Sequence, residues 1–279
     1  MGRFSSTPIY RKGSPDVTVL LPVYNGAPGL QRAIESVLRQ GYKNFELVIV
    51  DDASTDASYS IASAASDDRI RLLRNTRNLG LTETLRIGVG TARGRYVARI
   101  DQDDTWGDAN KLYLQVQWLD THPGCSLIGT YFTVFAPGKQ PVRVTPPTED
   151  KEIRRVFLLS ATFAHPTVVF RKSAYDAVGG YRNRFGKHVE DTDLWLRLGL
   201  HGTFHILPIF GLNYYKSEGG ISRKYERVQL INSLKVAIGY LPHWKSYPSL
   251  PTAILIKSRR CIFLLASTLL KPFRHTSPS

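Results

Sequence analysis

Two short apolar segments constrain the fold of this chain most strongly. Val17–Val23 has the sequence VTVLLPV, Glu46–Val50 has the sequence ELVIV, and both are rich in β-branched residues. A strand of a parallel sheet is buried on both faces, so its sequence shows a near-continuous apolar run instead of an alternation of apolar and polar residues. Each segment therefore predicts a buried strand of a parallel sheet.

Helical patterns separate these strands from further strand candidates. Apolar residues recur at helical spacing from Pro28 until Gly41, and helical patterns also precede the strand candidates Arg69–Leu73 and Arg95–Ile100. Strands that alternate with helices form right-handed crossovers and place helices on both faces of a parallel sheet. We therefore expect an α/β fold with a mostly parallel sheet.

The alternation ends in the second half of the chain. Asp108–Pro123 predicts a helix, Cys125–Phe135 one or two strands, and Gly138–Asp150 an exposed, proline-rich connection.

Polar residues follow three of the predicted strands, in the sequences YNG, DDASTD and DQDD. Ligands of α/β sheets bind outside the carboxyl ends of the strands. Asp101 and Asp103 form an Asp-x-Asp, whose two side chains point the same way and can share Mg²⁺ or Mn²⁺. Surface loops also produce this pattern without binding metal. Asp104 is expected to cap the helix that follows.

The acids of DDASTD have two interpretations. An acid between a strand and a helix commonly caps the helix, and we expect this role for Asp56. For Asp51 and Asp52, hydrogen bonding to a nucleoside is the alternative to capping.

A further group of acids opens a predicted helix with the sequence EDTDLWLRL. Glu190, Asp191 and Asp193 would compensate the helix dipole, or one of them would act as a general base beside a metal–diphosphate site. Trp195 lies on the apolar face of this helix, and His165 in the sequence AHP is more simply structural.

Positive charge is concentrated at the C-terminus. The chain has 279 residues and a net charge of +14, and residues 223–279 contain ten Lys or Arg and one acid, Glu226. This composition favours an anionic surface, either membrane phospholipid or nucleic acid. The apolar stretches of this segment are shorter than the ~20 residues that span a bilayer. They predict a helix in the membrane interface, or an amphipathic helix that caps the core.

The remaining composition narrows the class of protein. Cys125 and Cys261 stand far apart without the spacing of a disulfide framework or a zinc site, which favours a reducing cytosolic location. The N-terminus lacks the apolar stretch of a signal peptide. The sequence contains no P-loop, no GxGxxG and no Ser-His-Asp arrangement, which argues against kinase, dehydrogenase and hydrolase functions.

Taken in order, five motifs resemble those of the family 2 inverting glycosyltransferases. They are LPVYNG, FELVIVDDASTD, NLGLTETLRIGVGTARGRYVARIDQDD, HPTVVFRKSAYDAVGGYR and EDTDLWLRL, and they cover about Val17 to Ser222. The resemblance implies the GT-A fold, with a Rossmann-like sheet flanked by helices. It divides the chain into an N-terminal extension (1–16), a catalytic domain (17–222) and a basic helical tail (223–279).

The resemblance also implies site residues and a reaction. It implies a metal site at Asp101 and Asp103, a catalytic base at Asp191, and an acceptor contact for Glu190, Trp195 or His165. The implied nucleotide-binding residues are Pro22, Val23, Tyr24, Asp51, Asp52, Asn78, Gly80, Asp101 and Gln102.

The implied reaction is metal-dependent transfer of a sugar, with inversion, from a nucleotide-sugar donor, a UDP-sugar. The acceptor is a glycan or a lipid-linked molecule of surface-polysaccharide synthesis. We expect the protein in the cytoplasm, in peripheral contact with the anionic inner face of the membrane, without a specific nucleic-acid partner. The sequence does not predict an oligomeric state.

One motif departs from the family pattern. A basic-x-His pattern often follows the last strand in the family, whereas this chain has YYKSEGGIS, with Lys216 and then Glu218 at the position of the histidine. Lys216 or Glu218 would contact the diphosphate or the metal there.

Two other classes of protein share some of these features. A GT-A-like nucleotidyltransferase has the same sheet, but it needs a glycine-rich basic loop that PVYNGAPGLQRA matches poorly. A silent membrane-binding module would have no need to keep Asp101, Asp103 and Asp191 together.

Overall fold

The computed structural model describes residues 14–160, 162–216 and 225–269 of the chain. Nine strands form one mixed sheet, with the order β3-β2-β1-β4-β8-β6-β9-β5 and with β7 paired to β6. The strands are β1 (Val17–Val23), β2 (Phe45–Asp51), β3 (Ile70–Arg74), β4 (Tyr96–Arg99), β5 (Thr105–Trp106), β6 (Cys125–Phe135), β7 (Val142–Val144), β8 (Val169–Arg171) and β9 (Thr203–Tyr215).

Helices cover both faces of the sheet. They are α1 (Ala27–Leu38), α2 (Ser58–Ala64), α3 (Leu81–Gly90), α4 (Lys111–Thr121), α5 (Asp150–Val156), α6 (Lys172–Ala177), α7 (Glu190–His201), α8 (Glu226–Gly239) and α9 (Leu250–Leu269). Short 3₁₀ turns occupy His165–Thr167 and Leu241–His243. None of the described helices combines the length and apolarity needed to cross a bilayer.

The first half of the fold is the parallel sheet that the alternating pattern predicts. Strands β3, β2, β1 and β4 pair in parallel, and all seven residues of β1 are buried. Leu20 packs into the hydrophobic cluster on one face, and Val19 and Leu21 pack into the cluster on the other. The apolar run in β1 therefore reflects a strand with helices on both sides.

The second half mixes parallel and antiparallel pairs. Strand β8 pairs antiparallel with both β4 and β6, whereas β6 and β9 run parallel. The predicted proline-rich connection is largely exposed, and it also contains the short strand β7, which lies at an edge and pairs with Phe132–Val134 of β6. The strand was not predicted; it forms because the prolines flank Val142–Val144 and leave these three residues able to form a ladder.

Helices α8 and α9 pack one face into the core. Val236, Ala237, Tyr240, Tyr247 and Leu250 belong to the same buried cluster as the apolar face of α7. This arrangement matches the amphipathic helix that caps the core, which is one of the two interpretations of the basic C-terminal segment.

Candidate active site

The Asp-x-Asp lies directly after β4, at the carboxyl end of the parallel strands. The guanidinium of Arg99, which is only 1% exposed, donates a hydrogen bond of 2.5 Å from Nη2 to Oδ1 of Asp101. Arg99 also donates to the carbonyl of Ile100. Burial, reinforced by repulsion from Asp101, raises the pKa of Asp103 to about 6. The carboxylates of Asp101 and Asp103 thus lie close together, and the buried guanidinium of Arg99 holds Asp101.

Asp104 has a different position from the one that the sequence predicts. It is fully buried, and its Oδ1 accepts a hydrogen bond of 2.9 Å from the amide of Tyr215 in β9. The capping prediction is therefore wrong: the side chain binds the end of a distant strand. Burial, with repulsion from Asp101 and Asp103, raises the pKa of Asp104 to about 9, so the group is protonated at neutral pH.

Gln102 joins the Asp-x-Asp to the end of β1. Its Oε1 accepts from the amide of Tyr24 at 2.8 Å, and its Nε2 donates to the carbonyl of Tyr24 at 3.2 Å. Pro22 and Val23 are buried, whereas Tyr24 is exposed. A Cβ atom on Gly26 would lie 2.2 Å from Cδ of Gln102, so a side chain at position 26 would displace this end of Gln102.

Asp51 and Asp52 organise the segment that follows β3. Asp51, at the end of β2, pairs with Nε of Arg74 at 3.1 Å. Asp52 accepts hydrogen bonds from the amides of Leu79 and Gly80, at 2.9 and 2.8 Å. Asp52 thereby fixes the segment that contains the exposed Asn78 and the left-handed Gly80, whose φ is 84°.

Asp56 connects two helix starts. Its carboxylate accepts from the amide of Ser58, the first residue of α2, at 2.9 Å, and from the amide of Ala27, the first residue of α1, at 3.1 Å. The expected capping role of Asp56 is confirmed and extends to a second helix.

Glu190 and Asp191 begin α7, as the sequence predicts. Oδ1 of Asp191 accepts from the amide of Thr192 at 2.5 Å and from its hydroxyl at 3.1 Å. Burial raises the pKa of Asp191, and repulsion from Asp101 raises it further, whereas Arg99 opposes the shift. Burial and the neighbouring Asp191 raise the pKa of Glu190 to about 7. The start of α7 therefore lies within electrostatic range of the Asp-x-Asp.

Of the other candidate acceptor contacts, His165 is half-buried and Trp195 lies in the protein interior. His165 Nε2 is 2.7 Å from the hydroxyl of Tyr181, and burial together with Arg99 holds the pKa of His165 well below its usual range. Trp195 is 2% exposed and packs edge-on to His165, with ring centroids 5.5 Å apart. Trp195 is thus part of the core.

Lys216 follows β9. It is exposed, and its amide donates to the carbonyl of Phe135 at 2.8 Å. Glu218 lies outside the described residues.

The donor set suits a hard divalent cation. Asp101 and Asp103 supply carboxylate oxygens, and Mg²⁺ and Mn²⁺ prefer such ligands and complete their shells with water and substrate phosphates. Within the three described ranges, no cluster of three or more His, Cys, Asp or Glu side chains has the arrangement of a metal site. The carboxylates of Asp101 and Asp103 are thus a donor set that fits such a cation.

Sequence reasoning did not assign a role to Arg99 or to Arg74. Arg99 and Asp101 are two residues apart at the end of a strand, and that spacing places side chains on one face. This spacing could have identified Arg99 as the partner of Asp101. Arg74 ends β3 and Asp51 ends the adjacent β2, and nothing in the sequence marks this cross-strand pair.

Comparisons with known proteins point to one family. The family model "Glycosyl transferase family 2" matches residues 18–179, more than half of the chain. The "Putative glycosyltransferase EpsE" of Bacillus subtilis (strain 168) is 38% identical over 188 residues, which cover 66% of each chain. An Escherichia coli "UDP-Glc:alpha-D-GlcNAc-diphosphoundecaprenol beta-1,3-glucosyltransferase", WfaP, is 33% identical over 105 residues, covering 38% of this chain and 41% of WfaP.

A solved structure supports the same fold. The mannosyltransferase PcManGT from Pyrobaculum calidifontis, in complex with GDP-Man and Mn²⁺, superposes with a TM-score of 0.66. The match has 19% sequence identity and covers 93% of this chain and 77% of that one. The GT-A fold expected from the sequence is confirmed, and the chain belongs to glycosyl transferase family 2.

Proposed function

We propose that this protein transfers a sugar from a UDP-sugar, with inversion and with a divalent metal, to an acceptor hydroxyl in surface-polysaccharide synthesis. The acceptor is a glycan or a lipid-linked molecule at the cytoplasmic face of an anionic membrane. The observation that carries this proposal is the position of the Asp-x-Asp at the carboxyl ends of the parallel strands, in a chain of glycosyl transferase family 2. Arg99 donates a hydrogen bond of 2.5 Å to Asp101, and Gln102 bonds to the backbone of Tyr24 after β1.

The donor would bind across the carboxyl ends of β1, β2 and β4. Tyr24, held by Gln102, and the segment around Asn78 and Gly80, held by Asp52, are the surfaces that we assign to the nucleoside. Pro22, Val23 and Asp51 would complete that surface. The name of the E. coli relative, which includes UDP-Glc and a diphosphoundecaprenol acceptor, supports the choice of UDP and of a lipid-linked acceptor.

The reaction is a single displacement at the anomeric carbon. Asp191 would take the proton of the acceptor hydroxyl as the oxygen attacks from the face opposite the leaving UDP. Asp101 and Asp103 would hold the divalent ion, which when bound supplies positive charge for the departing diphosphate. Arg99 orients Asp101, and the exposed Lys216 is available to neutralise phosphate charge. One displacement inverts the configuration of the sugar.

A donor screen tests the proposal. UDP-, GDP- and dTDP-sugars are titrated calorimetrically into the full chain with Mn²⁺ and again with a chelator. We expect binding of a UDP-sugar that is lost with chelator and lost in Asp103→Asn. The surface substitution Asp68→Asn serves as the control, because Asp68 is exposed and lies outside the site. Equal binding with metal and with chelator would refute the metal dependence, and no binding of any nucleotide-sugar would refute the activity.

A further inference from the structure

We propose that the outer face of the two C-terminal helices docks on a bilayer that contains anionic lipid. This surface, the docking face, comprises the exposed side of residues 226–263. Its apolar members include Val228, Ile231 and Ile238 on α8 and Leu255, Ile262 and Phe263 on α9. The inference rests on the proposed function because it assigns the surface that would bring a lipid-linked acceptor to the site.

Exposed apolar side chains are concentrated in this region. Of the 17 large apolar residues that are exposed among the described residues, ten lie between residues 225 and 263. Phe263 is 73% exposed, Ile262 is 65% exposed and Trp244 is 51% exposed. Scattered apolar residues are normal on a protein surface, whereas a concentration of this kind marks an interaction site.

Helical spacing places these residues opposite the core. At about 100° per residue, Val228, Ile231, Lys235 and Ile238 form one stripe along α8. The buried residues Leu230, Val236 and Ala237 project from the other side. In α9, the exposed Leu255, Ile256, Arg259, Ile262 and Phe263 likewise lie opposite the buried Leu250 and Ala253. Each helix therefore uses one face for the core and presents a second apolar face outward.

Basic residues are interleaved with the apolar ones. Residues 225–269 contain six Lys or Arg and a single acid, Glu226. In the described part of the chain, no carboxylate lies within 4.0 Å of Arg227, Lys245 or Arg259. Arg227 and Arg259 lie on the two helices, and Trp244 and Lys245 lie in the connection between them. Exposed apolar side chains together with unpaired basic residues and a tryptophan are typical of segments that lie in the interface of an anionic membrane.

The positive charge of the docking face also argues against a second copy of this chain as its binding partner. A two-fold interface brings the same patch of both subunits together, so the basic residues of one docking face would meet those of the other. Like charges that face each other across an interface oppose association. Anionic headgroups neutralise the same residues while the acyl region accepts Ile262 and Phe263.

The contacts beneath the docking face connect it to the proposed active site. Tyr240, just after α8, donates a hydrogen bond of 2.8 Å to Oδ1 of Asp193 in α7. Asn232 of α8 donates to the carbonyl of Lys187, just before α7, at 3.0 Å. A membrane bound on the outside of α8 is therefore held in a fixed relation to the helix that begins with Glu190 and Asp191.

Vesicle binding of the full chain tests the inference. Co-sedimentation is measured with vesicles of phosphatidylcholine alone and with an equimolar mixture of phosphatidylcholine and phosphatidylglycerol. We expect binding only to the mixture, and weaker binding as salt is raised. Substituting both Ile262 and Phe263 by serine should lower the partition coefficient at least tenfold. Lys245→Gln and Arg259→Gln should each lower it about fivefold.

Val142→Ser is the matched control, because Val142 is an exposed apolar residue on β7, outside the docking face. The proposal would be overturned by equal binding to both kinds of vesicle or by no vesicle binding at all. It would also be overturned if the serine variant lost a dimer and not vesicle binding. Hydrolysis of the nucleotide-sugar in solution, measured on the same variants, should be unchanged. If the docking face is assigned wrongly, vesicle binding fails while hydrolysis remains. If the proposed function is wrong, neither the wild type nor any variant hydrolyses the nucleotide-sugar.

Discussion

The Oδ1 atom of Asp104 lies 2.9 Å from the backbone nitrogen of Tyr215, 111 residues further along the chain. This contact joins the segment after the Asp-x-Asp to the end of β9, next to the exposed Lys216. The other oxygen, Oδ2, is buried without a hydrogen-bond partner among the described residues. The third acid of DQDD therefore ties two distant strand ends together.

Replacing Asp104 tests the role of its acceptor oxygen. Asp104→Ala removes the acceptor of the partly buried Tyr215 amide, which we expect to lower the free energy of unfolding by about 1–3 kcal/mol. Asp104→Asn keeps an acceptor oxygen and should remain within about 0.5 kcal/mol of the wild type. Urea denaturation followed by circular dichroism measures both variants. A loss in the asparagine variant as large as that in the alanine variant would contradict this role.

The first half of the fold could be predicted because its pattern is local. Buried strands such as β1 and β2 have continuous apolar sequences, and the helices between them have their own periodicity. The pairing of β6 with β9 could not be predicted. It joins Cys125–Phe135 to Thr203–Tyr215, more than 60 residues away, and no local signal specifies such a partner.

The same distinction applies to the site. Acids at strand ends could be located because the carboxyl ends of parallel strands meet at one edge. The contacts of Asp52 and Asp104 were not predictable, since both side chains bind backbone amides, of Gly80 and of Tyr215, respectively. Almost every residue has a backbone N–H group, so residue types in the sequence do not show which amide will donate.

We expect Arg99 to raise the affinity for the metal ion by fixing the carboxylate of Asp101. Arg99→Met removes the donor that fixes the Asp101 carboxylate, and loss of such a partner typically lowers metal affinity 10- to 100-fold. Mn²⁺ is titrated calorimetrically into the protein saturated with UDP. Arg99→Lys should recover part of the affinity because it restores the charge.

Arg86→Met is the control for this series, since Arg86 pairs only with Glu83 on the surface of α3 among the described residues. Thermal unfolding of each variant excludes a loss of fold. An unchanged Mn²⁺ affinity in folded Arg99→Met would show that Arg99 supports only the strand.

Asp191→Asn should retain donor binding and lose about 10²–10⁴-fold in turnover, because the asparagine cannot accept the proton of the acceptor. In the wild type, burial raises the pKa of Asp191, and Glu190, Asp101 and Arg99 are the charged groups that act with it. A base must be ionised, so kcat/KM should fall as pH falls through this raised pKa. The acid limb should therefore lie above the ordinary aspartate value of about 3.9. Activity of Asp191→Asn within a few fold of the wild type would refute the assignment.

Lys111 should make stability depend on pH. It is fully buried at the start of α4, with Nζ 2.7 Å from Oε1 of Gln115 and 4.1 Å above the ring of Trp106. Burial lowers its pKa well below the usual range, so at alkaline pH the unfolded chain binds a proton that the folded protein does not. The free energy of unfolding should therefore rise with pH between the lowered pKa and about 10.4, by up to about 1.4 kcal/mol per pH unit.

The effect of Lys111 is isolated by comparing the wild type with Lys111→Met at several pH values between neutrality and about 9.5. Other titrating groups contribute equally to both proteins, so the difference in their free energies of unfolding reports the lysine alone. We expect the wild type to gain stability relative to Lys111→Met as pH rises, because deprotonating the unfolded chain removes the penalty of burying this amine. Parallel curves would mean that the amine stays protonated in the fold, stabilised by Gln115 and the face of Trp106.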